Sequence, residues 1–121
     1  MLWLLALSLV TGLPPQPPSQ PGFMDAARLA ALCGATGPDG QSGRALCLGY
    51  VVGSVDQLMA SQARRGRATV CPPKDLTAED AMKAVVRRSR YASTATGLGA
   101  AGFVRFALED AYPCPLPVGP R

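Results

Sequence analysis

Apolar side chains recur at steps of three and four residues in four separate stretches of this chain, each closed by glycine, proline or arginine, a pattern that predicts four helices. The first stretch opens at Met24-Asp25, where Asp25 can accept from the free amides of a first turn and Met24 can pack on Leu29 as a hydrophobic staple. Leu29, Leu32 and Cys33 then share a face, and Gly34 can stop the helix. Gly37-Pro38-Asp39-Gly40 signals a turn, and Gly43 extends the loop. The second helix is expected from Leu46 to Arg64, with Cys47, Val51, Val55 (or Ser54), Leu58 and Met59 on its apolar side and Tyr50 and Val52 widening it.

Gly49 and Gly53 fall one turn apart in that helix. Each costs roughly 1 kcal/mol of helix propensity relative to Ala. They make sense where another helix backbone comes close, within the fold or across a dimer. A transmembrane dimer face is excluded, because Asp56, Gln57 and arginines follow at once.

Thr77 reads as the N-cap of the third helix, with Glu79 and Asp80 in its first turn and Asp80 where a capping box would carry Glu or Gln. Ala78, Ala81, Met82, Val85 and Val86 form its stripe. Arg87, Arg88 and Arg90 crowd its last turn, where cations suit the helix dipole. After a glycine-containing break from Thr94 to Gly99, a fourth helix is expected over Ala100 to Ala111, with Phe103, Phe106, Ala107 and Ala111 inward. Tyr112-Pro113-Cys114-Pro115 ends it.

The segment ahead of these helices differs in kind. Met1 to Gly22 has no charged side chain, and Leu2 to Val10 is an apolar run of signal-peptide length, too short to span a bilayer. Pro14, Pro15, Pro17, Pro18 and Pro21 then impose an extended linker. The expected organisation is a secretory leader and linker over residues 1–21, one folded domain over 22–115, and a loose tail over 116–121.

Four cysteines in a short chain with a leader read as a disulfide framework. They do not read as a zinc site, having no Cys-x-x-Cys spacing. Disulfide Cα atoms must lie within about 7 Å of each other. A helix of roughly 17 residues is about 25 Å long, so Cys47 at the start of the second helix cannot reach Cys71 beyond its end. Hairpin geometry pairs Cys33 with Cys47, and Cys71 with Cys114. The expected fold is therefore all-α: a small four-helix domain of two stapled helical hairpins.

Composition narrows the function. The chain has no histidine, which removes a His general base, the Ser-His-Asp and Cys-His arrangements and the commonest zinc ligand. The eight acidic residues form no evident acid/base couple; Asp56, among apolar neighbours, is the most interesting of them. The net charge of +4 comes mostly from arginine. No phosphate loop, nucleotide fingerprint or basic stripe interleaved with aromatics is present, so neither a cofactor nor nucleic acid is expected.

Several segments resemble the type VI secretion amidase immunity proteins, often called the Tai family. They are Leu29-x-x-Leu32-Cys33, Cys47-x-Gly49-Tyr50-x-x-Gly53-x-x-Asp56, Cys71-Pro72-Pro73 followed by Thr77, and Ala107-Leu-x-x-Ala111-Tyr112-Pro113-Cys114. The chain departs from that pattern between Ser61 and Ala68 and in the link before the last helix. The resemblance implies a small helical periplasmic protein, commonly dimeric, that binds a secreted peptidoglycan amidase and blocks its active site without being an enzyme. Exposure and charge nominate Arg87, Arg88, Arg90 and Tyr91, with the Ser93-to-Gly99 link, as partner contacts. The alternatives are a periplasmic helical binding module, or an acid-chaperone-like protein, without an amidase partner. An enzyme would need a polar pocket around a carboxylate such as Asp56.

Overall fold

The local signals that start and stop each helix are the ones that set the architecture. In the computed structural model, which describes Gly12, residues 22–91 and residues 98–116, the elements are α1 (Ala26–Cys33), α2 (Gln41–Arg65), α3 (Ala78–Tyr91) and α4 (Ala100–Ala111). A single 3-10 turn, Pro38–Gly40, precedes α2. The Asp25 carboxylate accepts from the Arg28 amide at 2.7 Å, capping α1. Thr77 and Asp80 form a reciprocal box at the start of α3: the Asp80 amide donates to Thr77 Oγ1 at 3.1 Å, and the Thr77 amide donates to Asp80 Oδ2 at 3.4 Å. Gly66 closes α2 in the left-handed conformation, with φ 62°.

The expected all-α fold of two stapled hairpins is present. Cys33 bonds Cys47 with Cα atoms 5.0 Å apart, and Cys71 bonds Cys114 at 4.8 Å. The 25-residue α2 is the spine of the molecule, and all four helices pack on one another. Two short backbone clasps tie distant segments. The Ala26 amide donates to the Leu98 carbonyl, and the Ala100 amide donates to the Met24 carbonyl, each at 3.0 Å, so α1 and α4 begin side by side. The Cys71 amide donates to the Tyr112 carbonyl at 2.8 Å, beside the Val70–Pro113 bridge.

Between the helices lies one apolar core. Its largest fully buried side chains are Phe103, Leu29, Leu108, Val51, Val70 and Val85. Ala81, Ala84, Ala100 and Ala107 fill the remaining contacts, small residues that let the helices approach closely. Among the described residues no polar or charged side chain is buried.

Three details differ from expectation. Helix α2 begins at Gln41 rather than Leu46, so Gly43 is helical and not part of the loop. Pro38 starts the 3-10 turn, and the Gly40 amide donates to the Gly37 carbonyl, feeding the chain directly into α2. On α4, Phe106 faces outward and is 38% exposed, while Val104 and Leu108 are buried in its place. The buried arc is centred near Ala100, Ala107 and Ala111, and at about 100° per residue Phe106 lies roughly a third of a turn away. On α3, Ala78 is exposed and Ala84 takes its place in the core. The expected leader and the last residues of the tail lie outside the described residues, apart from Gly12 and the exposed Leu116.

Candidate functional site

The final turns of α3 leave the core with three arginines and a tyrosine, and α4 stands beside them. The expected contact residues Arg87, Arg88, Arg90 and Tyr91 are thus brought together at one end of α3. Their environments are not equal. Arg87 and Arg90 are exposed and Tyr91 is 86% exposed. Arg88 is half-buried, its Nη1 donating to Asp110 Oδ2 on α4, and its guanidinium lies over the Phe106 ring, 5.6 Å from the centroid. Arg105 lies over the same ring at 5.8 Å.

A cleft of about 300 Å³ separates α3 from α4 here, lined by Ala84, Ala107 and Ala111 and walled by Arg87, Arg88, Tyr91 and Asp110. A second hollow of about 310 Å³ runs along the outer side of α3 past Lys83, Arg87, Arg90 and Tyr91. Lys83 belongs to this surface, and the sequence pattern gave it no attention. Its spacing from Arg87, one helical turn, was the available signal. Of the link nominated as a further contact, Ser93 to Gly97 lie outside the described residues.

Beside the cleft, Arg105 donates to Glu109 Oε1 at 2.8 Å, and the Thr69 hydroxyl donates to the same oxygen at 2.9 Å. The Arg105 hydrogen bond is the main reason the Glu109 carboxyl is held below its ordinary range; partial burial opposes it, and the Thr69 hydroxyl adds to it.

The other nominated positions stand apart. Asp56 is exposed at the rim of a cleft of about 140 Å³ whose other lining residues are Val52, Val55, Leu76, Thr77, Ala78 and Ala81, with no second charged group. That lining is not a polar pocket of the kind an acid/base site needs. Gly49 and Gly53 are also exposed, and a Cβ on either would meet nothing within 4 Å. They line an open hollow with Tyr50, Ser54, Gln57 and Ala101. Among the described residues, no group of His, Cys, Asp and Glu could hold a metal ion, and no helix is long and apolar enough to cross a membrane.

A family model for Rap1a immunity proteins matches residues 25–114. The chain belongs to the Rap1a immunity protein family. The match runs from the N-cap Asp25 to the last cysteine, Cys114, so it takes in all four helices and both disulfides. Rap1a is a type VI effector immunity family, in keeping with the resemblance drawn from the residues. No curated protein and no solved structure matches the chain.

Proposed function

We propose that this Rap1a protein acts outside the cytosol as an immunity protein that binds a type VI secreted peptidoglycan amidase and sterically blocks its active site. The observation that carries the proposal is the family match over residues 25–114, which frames both disulfides. Two structural disulfides suit an oxidising compartment and supply a rigid binding surface. In this proposal residues 1–21 are leader and linker, 22–115 the immunity domain and 116–121 a tail. The chain contributes no catalytic residue and needs no cofactor; its α3 end, with Arg87, Arg88, Arg90 and Tyr91, meets the effector. A homodimer completes the proposal, with the open α2 surface around Gly49 and Gly53 facing a second copy.

The test is an inhibition titration. Purified, oxidised chain is added to the amidase encoded nearest to it in its genome, and release of soluble fragments from peptidoglycan is followed. Stoichiometric inhibition is expected, weakened by reversing the charge at Arg87, Arg88 and Arg90 together. Undiminished cleavage at excess chain would overturn the proposal. Light scattering on the same sample checks the dimer.

A further inference from the structure

The basic end of α3 combines an apolar floor with unequal cations. Ala84 and Ala107 are buried and Ala111 is half-buried, so the α3–α4 cleft ends on methyl groups with room for one large side chain from outside. Of the acidic residues near this surface, Asp110 pairs with Arg88 and Asp80 accepts from the Thr77 amide, while Glu79, one turn before Lys83, makes no ion pair with it. Among the described residues, Lys83, Arg87 and Arg90 have no carboxylate within ion-pair distance. Arg87 lines the α3–α4 cleft and the outer hollow alike.

We propose that this cleft recognises an acidic segment of a protein partner, taking an apolar side chain between α3 and α4 while Lys83, Arg87 and Arg90 meet flanking carboxylates. The proposal rests on the immunity function for its partner, a secreted effector. Arg88 is then a positioning residue: paired with Asp110 and laid over Phe106, it meets the partner as part of the cleft wall, its charge already matched by Asp110. The apolar floor favours a protein over a phosphate-bearing surface, because a lipid or nucleic-acid backbone would use the charges and leave the methyl-lined cleft empty. Tyr91, exposed at the mouth, is the residue type that protein interfaces favour.

The experiment uses the oxidised, nitrogen-15-labelled full chain and three probes: acetyl-Asp-Leu-Glu-amide, acetyl-Lys-Leu-Lys-amide, and phosphatidylglycerol vesicles. The acidic peptide should give saturable shifts at the Ala84, Arg87 and Ala111 amides, and the basic peptide none. Arg87→Glu with Arg90→Glu should weaken the acidic peptide at least tenfold with the fold intact by circular dichroism and only a modest fall in melting temperature from the helix dipole, and Arg88→Gln should weaken it less. Shifts elsewhere, equal response to the basic peptide, or binding confined to the vesicles would each overturn the proposal. The amidase separates the two levels of argument. An amidase inhibited equally by the wild type and the Arg87→Glu/Arg90→Glu variant would overturn the cleft and leave the immunity function standing. Cleft binding of the acidic peptide, with every amidase left active, would support the cleft and overturn the immunity function.

Discussion

Gln62 grips Val70 from both sides: its Oε1 accepts from the Val70 amide at 3.0 Å, and its Nε2 donates to the Val70 carbonyl at 3.0 Å. The same Oε1 accepts from the Thr69 amide at 2.9 Å. One α2 side chain thus replaces the pairing that a strand neighbour would supply, just where the chain turns back after Gly66. Val70 is 1% exposed, so those backbone groups have little water to fall back on. Gln62→Ala should cost about 2 kcal/mol in urea unfolding of the oxidised protein. Gln62→Glu, which keeps the acceptor and loses the donor, should cost less.

The glycines of α2 should separate by their surroundings. At Gly43 a Cβ would come within 3.3 Å of Ala35 Cβ, whereas at Gly49 and Gly53 it would meet nothing. Gly49→Ala and Gly53→Ala should each stabilise the monomer by about 0.5–1 kcal/mol through helix propensity. Gly43→Ala should gain nothing, because crowding against Ala35 cancels the propensity. Thermal melts of the three variants at low concentration check this. Loss of self-association in Gly49→Ala or Gly53→Ala would mark α2 as the dimer face.

Two phenylalanines one turn apart should behave differently. Phe103 is 1% exposed at the centre of the core, and Phe103→Ala should cost about 3–5 kcal/mol. Phe106 is partly exposed beneath Arg88 and Arg105, and Phe106→Ala should cost about 1 kcal/mol, the order of its cation–π contacts. Denaturant midpoints of the two variants give the comparison.

The helices were legible where a cap or a stripe carried a local signal. Asp25, Thr77 with Asp80, and the paired cysteines did so, because hydrogen bonding and the reach of a disulfide depend on residues a few positions apart or on helix length. Phe106 was misplaced because the spacing from Phe103 suits either side of the true stripe, and only the facing helices decide which. Within the fold nothing comes close to Gly49 or Gly53, so of the two readings of that spacing only a second copy is left to test. Close approaches within the fold occur instead at Gly40 and Gly43, both against Ala35 at the α1–α2 bend, which the loop signal around Pro38 had concealed. The charged end of α3 was visible as a cluster. That Arg88 is tied to Asp110 while Arg87 and Arg90 are not depends on α4, across 22 residues of chain.

Removing the disulfides one at a time should rank them. The Cys33–Cys47 bond spans 14 residues and the Cys71–Cys114 bond 43. Chain entropy then gives about 3 kcal/mol for the first and about 4 kcal/mol for the second. Paired Cys→Ala variants compared by urea unfolding should show the larger loss for Cys71 with Cys114.

Acid should weaken the α4 junction through Glu109. Its folded-state carboxyl is held below the ordinary range, chiefly by Arg105, so the unfolded chain binds the proton more readily. The contribution to stability is therefore complete above the unfolded-state value of about 4.3 and is lost as pH falls below it through the lowered folded value. Glu109→Gln should flatten that part of a stability–pH curve measured between neutral and strongly acid solution, and leave the wild type ahead at neutral pH.

The Cys71–Cys114 bond also makes everything from Pro72 to Pro113, including the whole basic surface, part of a covalent ring. A protease that nicks this ring once releases no fragment, and the two strands stay joined until a second cut or a reductant arrives. Digests run with and without reductant would show a full-length band that splits only in the reduced lane, the signature of a domain that stays in one piece after being bitten.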